Sequence, residues 1–287
     1  MNDSVGATSV ASAAAAHSAV GRRQHTATSG AAETAVPHLP FAIEVEPGSL
    51  EAARWRDTAY RVFEFVFAAV ALLLLLPVLI VVAIIVKLDS PGPPIFVHTR
   101  VGRSKIMSGA ALAGRTDIAP PAGTFEAHKH YWVPSTIPFV KFRTMYHDAP
   151  ERFPEFYHFE YPSREAFLSG FYKVGDDPRV TRAGRWLRRT TVDELPNFWC
   201  VLTGQTALVG PRPEGPQFLP YYSADEMRKF TVRTGITGLA QTRVRGNASI
   251  GDQLRLDLQY VAERSVALDL KLLAATIHGV IARRGAF

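Results

Sequence analysis

Phe65 to Val86 is an unbroken run of 22 residues with no charge and no side-chain hydrogen-bonding group. As a helix rising about 1.5 Å per residue it reaches about 33 Å, and a bilayer's hydrocarbon layer is about 30 Å thick. Length alone therefore makes it a membrane-spanning helix. Two features argue against that. Pro77 sits near the middle, where it removes a helical hydrogen bond and clashes with the preceding turn. Basic residues flank both ends, Arg54, Arg56 and Arg61 before and Lys87, Arg100, Arg103 and Lys105 after. The positive-inside tendency keeps both flanks on the cytoplasmic face. A helix that enters, bends at Pro77 and returns satisfies both observations; a spanning helix and a buried soluble core helix remain open. The breakers Ser90-Pro91-Gly92-Pro93-Pro94 end the helix on its C-terminal side.

The segments around this run are less informative. Residues 1 to about 40 are rich in Ala, Ser, Thr, Gly and His and lack aromatics, so they read as disordered, and the tail is bounded at residue 50. No apolar run of secretory-signal length follows Met1. Ile95–Val97 and Phe139–Met145 read as strands. Between them, residues 104–138 read as an Ala/Gly/Pro-rich surface insertion, in which His128 and His130 lack a third metal ligand. Eight aromatics fall within 151–175: Phe153, Phe156, Tyr157, Phe159, Tyr161, Phe167, Phe171 and Tyr172. They suit a core or a membrane-interface face. The single cysteine, Cys200, excludes an intramolecular disulfide framework. A net charge of +6 points to an anionic partner without choosing among nucleic acid, phospholipid and phosphorylated substrate.

The chemistry concentrates in Asp176–Glu214. Six arginines (Arg179, Arg182, Arg185, Arg188, Arg189 and Arg212) surround the adjacent carboxylates Asp193 and Glu194. Guanidinium groups grip phosphate oxygens as bidentate forks. A carboxylate pair can hold Mg²⁺, or one carboxylate can attack phosphorus. Thr191-Val192-Asp193-Glu194 matches a capping box, although capping by Asp193 places Pro196 better; either way the acidic pair starts a helix. Gly210-Pro211-Arg212-Pro213 is a rigid turn that fixes the direction of Arg212.

These stretches resemble the bacterial sugar transferases, the small monotopic polyprenyl-phosphate phosphoglycosyl transferases. The matching pieces are KLDSPGPPIF (87–96), KFRTM (141–145), DPRVTRAGRWLRRTTVDELP (177–196), LVGPRP (208–213), GITGLAQ (235–241) and GAF (285–287). The resemblance implies transfer of a sugar 1-phosphate from a UDP-sugar to polyprenyl (undecaprenyl) phosphate with release of UMP, an early membrane step in surface polysaccharide assembly. It implies that Asp193 is the nucleophile and forms an aspartyl phosphosugar, and that Glu194 helps hold Mg²⁺. Arg188 and Arg212, with Lys141 and Arg143, are implied to bind substrate phosphate, and Gly238 and Gln241 to line the nucleotide site. The implied fold is α+β, mostly helical. It is a monotopic membrane protein with a re-entrant helix-break-helix over 51–90, broken at Pro77, and a cytosolic catalytic domain over 91–287. The implied setting is the cytoplasmic face of a bacterial inner membrane, with the lipid bilayer as a partner, no nucleic acid, and self-association left open.

This sequence departs from the family pattern in several places. Leu76 replaces the usual serine before the breaking proline, and Thr234 stands where proline is usual. Gly204-Gln205-Thr206, Asn197 and Cys200 also differ from the pattern. Residues 267–287 suit an amphipathic helix on the bilayer or one packed on the domain. Two rival readings stay open. A membrane-tethered phosphohydrolase would use the same carboxylate with water as acceptor. A non-catalytic basic adaptor would bind anions with steep salt dependence and tolerate loss of Asp193.

Overall fold

A computed structural model of the chain describes residues 39–46, 51–157, 160–170, 177–244 and 248–282. Helices and short strands are mixed in the order β1 (Ile43–Glu44), α1 (Glu51–Asp89), β2 (Ile95–Val101), β3 (Lys105–Ser108), α2 (Gly109–Leu112), β4 (His130–Val133), β5 (Thr136–Phe142), α3 (Ala149–Arg152) and α4 (Arg164–Ser169). There follow α5 (Arg182–Thr190), a 3₁₀ helix over Val192–Asn197, α6 (Phe198–Leu202), β6 (Ala207–Val209), β7 (Gly235–Thr237), α7 (Leu239–Arg243), α8 (Ile250–Glu263) and α9 (Val266–Ile281).

The apolar run lies inside α1, the one described helix long and apolar enough to cross a membrane. Its burial follows a stripe. Glu64, Ala68, Val82 and Val86 are buried, Leu72, Leu75 and Leu79 are half-buried, and Leu73, Leu74, Leu76, Ile80 and Ile84 are exposed. The spacing of three, four and seven is that of one helix face laid on a partner. Both ends of the run are anchored. Arg61 donates to the carbonyls of Val201, at 2.7 Å, and Leu202. Glu64 accepts from the Leu208 N–H at 3.1 Å and pairs with Arg233. At the far end, Asp89 accepts from the Ala183 N–H at 3.1 Å.

The break expected at Pro77 does not interrupt the helix, because Glu51–Asp89 is one element with Pro77 inside it. A proline disturbs only the hydrogen bonds of its own turn, and the stripe on either side holds the helix in register against the domain.

The strands form three small sheets. β2 pairs with β5 antiparallel, from Ile95 opposite Phe142 to Val101 opposite Thr136. β6 pairs with β7 parallel. β1, β4 and β3 form a third sheet in that order, with Ile43 and Ile106 both opposite Trp132. The third sheet corrects two expectations. The 104–138 segment is not a plain loop: it has its own core of Ala42, Leu112, Ile118, Tyr131 and Val133. Part of the expected tail, Ile43–Glu44, is that sheet's edge strand. Apart from 39–46, the tail expectation falls on residues 1–38 and 47–50, outside the described residues.

Of the eight aromatics, Phe167 is buried in the main core beside Phe218, Tyr222, Phe230 and Ile250, with Tyr161 packed against it. Phe159, Phe171 and Tyr172 lie outside the described residues. α9 packs on the domain, as one of the two expectations for the C-terminal end had it, and keeps an exposed apolar face. Leu272 and Asp269 are buried against the domain, while Val266, Leu270, Ile277 and Val280 remain exposed.

Candidate active site

The expected strand over Phe139–Met145 ends at Phe142, opposite Ile95 where β2 begins, although the Arg143 N–H still donates to the Pro94 carbonyl at 2.8 Å. Arg143 is buried and donates to the Pro93 carbonyl at 2.8 Å, Ser90 Oγ at 2.9 Å, the Pro91 carbonyl at 2.6 Å and the Ser90 carbonyl at 2.7 Å. It also reaches the Val86 carbonyl at 3.3 Å. This guanidinium ties the end of α1 and the proline-rich turn to β5. It was expected to hold substrate phosphate; its donors are instead spent on carbonyls that the end of α1 leaves unsatisfied.

α5 sits directly over the end of β5. A Cβ on Gly184 would meet the Thr144 carbonyl at 2.0 Å, so only glycine allows this approach. Thr181 caps the helix by accepting from the Gly184 N–H at 3.0 Å. Arg188, on the last turn, then donates through Nε to Thr144 Oγ1 at 3.0 Å. The chain reverses at Thr191, whose φ is 59°, the one described non-glycine residue with positive φ. A β-branched residue in this region is strained by about 1–3 kcal/mol. The reversal sends Asp193 back alongside Arg188. The capping box does not form, since Thr191 makes no side-chain cap bond and the Asp-Glu pair opens a 3₁₀ helix.

Asp193 is buried and Glu194 half-buried. Burial pushes the Asp193 carboxyl up to about 6; Glu194 adds to the rise, and Lys141 and Arg188 pull it back. Burial likewise pulls the Lys141 ammonium down to about 8, against the opposing influence of Asp193. Arg188 is lowered by burial, with Asp177 and Asp193 opposing. Neither cation makes a direct ion pair with Asp193 among the described residues, so the carboxylate is attracted but not covered.

Arg212 reaches the site from the other side. Its backbone N–H donates to both oxygens of Asp257 at 3.3 Å. Asp257 is paired at 2.9 Å with Lys229, which also bonds Glu214 at 2.7 Å. All three ions are buried, and they fix the Gly210–Pro213 turn from beneath. Arg212, Lys141 and Arg100 all act electrostatically on His98, so the three cations share one neighbourhood. Arg100 and His98 were not expected as site residues. The signal was available: Phe96, His98 and Arg100 alternate on β2, and Phe96 faces Lys141 in the ladder.

Gly238 and Gln241 flank this turn. A Cβ on Gly238 would meet the Gly210 carbonyl at 2.1 Å, so this glycine serves close backbone packing. Gln241 Oε1 is buried without a partner. Arg182, Arg185 and Arg189 do not join the site; they lie exposed on one face of α5 with Trp186. Arg179 is forked onto Asp177 at 2.8 and 2.7 Å.

No cluster of three or more metal-ligating side chains occurs among the described residues. The Asp193–Glu194 pair fits Mg²⁺ in its protein-poor mode, with one or two carboxylates and the remaining ligands from water and substrate phosphate. A buried carboxylate whose ionisation is opposed by a neighbouring carboxylate is also a place where a divalent cation relieves repulsion.

The sequence profile described as bacterial sugar transferase matches residues 55–108 and 124–283. The chain belongs to the bacterial sugar transferase family. Among its relatives, the UDP-galactose-lipid carrier transferase of Erwinia amylovora is 33% identical over 227 residues, covering 79% of this chain and 41% of that protein. The undecaprenyl-phosphate glucose phosphotransferase of Komagataeibacter xylinus is 32% identical over 247 residues, covering 82% of this chain and 38% of its own length. The UDP-glucose:undecaprenyl-phosphate glucose-1-phosphate transferase of Caulobacter vibrioides is 32% identical over 241 residues, covering 80% and 73%. The chain thus spans about two fifths of the first two relatives. The family match omits residues 109–123, part of the segment that carries α2 in this bacterial sugar transferase.

Proposed function

We propose that this chain transfers a sugar 1-phosphate from a UDP-sugar to polyprenyl phosphate, releasing UMP, through a covalent intermediate on Asp193. The observation that carries this reading is a buried carboxylate faced, but not covered, by Lys141 and Arg188. One Asp193 oxygen attacks the sugar-bearing phosphorus, and the bond from that phosphorus to the UMP oxygen breaks. A phosphate oxygen of the polyprenyl phosphate then attacks the same phosphorus, and the Asp193 carboxylate leaves. Neither attacking oxygen needs a proton removed, because both are anionic. What the site must supply is compensating charge. Two unit anions 4 Å apart repel by about 4 kcal/mol at an effective dielectric of 20. Lys141, Arg188, Arg212 and Arg100 offset that repulsion and orient the phosphorus for in-line attack. Mg²⁺, held by Glu194 with Asp193, would neutralise the diphosphate and stabilise the departing UMP.

The membrane arrangement follows from α1. Both ends of its apolar run are bonded to one domain, which supports a helix that stays in one leaflet with both ends on the catalytic side. That side is taken as the cytoplasmic face of the inner membrane, the side on which the basic residues flanking the apolar run would be kept.

The test incubates the full chain in detergent or membranes with a panel of UDP-sugars and polyprenyl phosphate. UMP and a polyprenyl diphosphosugar are expected from one or a few donors, and Asp193→Asn is expected to abolish both. Near-normal transfer by Asp193→Asn overturns the mechanism. Sugar phosphate released without acceptor shows hydrolysis instead. For the topology, a cysteine introduced in residues 1–50 should stay inaccessible to an impermeant external label; labelling there reveals a spanning helix. The native Cys200 is buried and gives little background.

A further inference from the structure

Thr144 is buried at the meeting point of β5, α5 and the end of α1, and the chain on either side of it is tied down. Arg143 is held by the carbonyls of Ser90 and Pro93, and Met145 bridges Val180. The Thr144 carbonyl accepts from the Thr181 N–H at 3.0 Å, and Gly184 lets α5 come down on it. Thr181, Gly184 and Arg188 are spaced three and four residues apart, so they share the face of α5 that rests on Thr144. On that face Arg188 Nε donates to Thr144 Oγ1 at 3.0 Å. We propose that Thr144 is a positioning residue: its neutral hydroxyl fixes Arg188 through Nε and keeps both terminal nitrogens of that guanidinium for a substrate phosphate beside Asp193. The role rests on the transferase reading above.

A guanidinium carries five N–H donors, one on Nε and four on the terminal nitrogens. Two other arginines near Thr144 spend their terminal nitrogens inside the protein. Those of Arg143 go to Ser90 and to the Val86 and Pro91 carbonyls, and those of Arg179 to Asp177 and the Phe156 carbonyl. Arg188 differs. Its bond to Thr144 uses Nε alone, and neither terminal nitrogen has a hydrogen bond or ion pair among the described residues. The carboxylates that act on it, Asp177 and Asp193, do so through space, and both oxygens of Asp177 are already forked by Arg179. A hydroxyl supplies a lone pair and no negative charge, so Arg188 is oriented without being neutralised. Threonine suits the task because its branched side chain is stiff at χ1, which makes the acceptor a fixed stop. The terminal nitrogens are the pair that grips a phosphate as a fork. Arg188 also acts electrostatically on Lys141, as Asp193 does, so a phosphate held by that fork lies in the neighbourhood the three residues share.

The phosphate is that of the sugar donor or that of the lipid acceptor, and kinetics separates them. The full chain is assayed as Thr144→Val, which keeps the volume and loses the hydroxyl, as Thr144→Ala, which loses it without the branched bulk, and as Thr144→Ser, which keeps it. Thr144→Val and Thr144→Ala should each raise one KM about tenfold or more, the size of a lost hydrogen bond to a charged group. Thr144→Ser should recover most of that loss. A rise confined to the UDP-sugar KM places the donor diphosphate on Arg188, and one confined to the polyprenyl phosphate KM places the acceptor. Calorimetric titration with inorganic pyrophosphate reads the same fork without turnover. Thr144→Val should weaken binding about tenfold, Thr144→Ser should restore it, and in an Arg188→Met background Thr144→Val should cost nothing further. Unchanged KM values and pyrophosphate binding in both hydroxyl-free variants, equal losses in the Val and Ser variants, or full additivity with Arg188→Met overturn the proposal. If the wild-type chain releases no UMP from any donor but binds pyrophosphate with this pattern, the transferase reading fails and the role of Thr144 stands. A wild-type chain that neither releases UMP nor binds pyrophosphate overturns both.

Discussion

Asp193→Asn should make the protein inactive and more stable. Burial and Glu194 raise the Asp193 pKa from an ordinary 3.8 to about 6. Between those values the folded chain binds a proton more tightly than the unfolded chain. Stability therefore falls as pH rises through that window and levels off above about 6. At about 1.4 kcal/mol per pH unit, keeping this carboxylate ionised costs the fold about 3 kcal/mol at neutral pH. Asparagine removes the charge and retains the shape, but its amide N–H groups need partners, so the expected gain is about 1–3 kcal/mol. At roughly 2–4 °C per kcal/mol, that is a rise of roughly 2–12 °C in Tm. The assay is thermal unfolding by tryptophan fluorescence in detergent, without divalent cations, from pH 4.5 to 8. The gap between variant and wild type should open from pH 4.5 to 6.5 and then stay level. A Tm at or below wild type at pH 7.5, or a gap independent of pH, refutes the reasoning.

Further outcomes follow from the same geometry. The rate of UMP release should rise with pH through about 6 as Asp193 ionises, and fall above about 8 as Lys141 loses its proton. Lys141→Met should move the acid limb to higher pH and Glu194→Gln to lower pH, read from kcat/KM profiles. Mg²⁺ should raise the wild-type Tm, while Asp193→Asn and Glu194→Gln respond less; equal responses in all three argue against a metal at this pair. Lys229→Met should cost about 3–5 kcal/mol because it leaves Glu214 and Asp257 buried together, and adding Glu214→Gln should recover part of it in thermal unfolding. Arg143→Lys should lower Tm while leaving both KM values nearly unchanged, since its partners are main-chain oxygens at the end of α1 and Ser90.

The sequence pointed directly to the parts of the fold that rest on local pattern. The apolar length of α1 and the strand entering at Ile95 both appear in the structure, while Lys141 and Arg188 were placed with Asp193 by the family resemblance rather than by local pattern. Non-local pairing was hidden. β3 and β4 are four residues each, set in Ala/Gly/Pro-rich sequence, and the third strand of their sheet comes from Ile43–Glu44. No window of local periodicity could connect these pieces. The capping box misled because it assumes an extended cap residue, whereas Thr191 adopts the left-handed conformation that the chain reversal demands. Arginine counting misled for a similar reason: residue type says what a side chain can grip, and only packing says what it does grip. His98 and Arg100 were missed because each reads as an ordinary strand residue until the β2–β5 ladder brings them beside Lys141 and the ion network carries Arg212 to them.

Two aspartates, Asp177 and Asp193, show how environment divides one side-chain type between structure and chemistry. Burial pushes Asp177 upward too, but the Arg179 fork and the Arg179 N–H outweigh it and hold the group below its ordinary value. Its oxygens are occupied, so it is a poor nucleophile whatever its charge. Asp193 is more buried, and its side-chain cations Lys141 and Arg188 help it only through space, beside a bond from its own backbone N–H. Under-neutralisation leaves its lone pairs available, at the cost in stability worked out above. The same cations that partly compensate it can compensate an incoming phosphate, and they cannot serve both fully. A substrate phosphate entering between them would draw that charge away from the carboxylate at the moment when, in the proposed mechanism, the carboxylate donates electrons. A site with a direct Arg188–Asp193 ion pair would be more stable and would have to break that pair before each turnover.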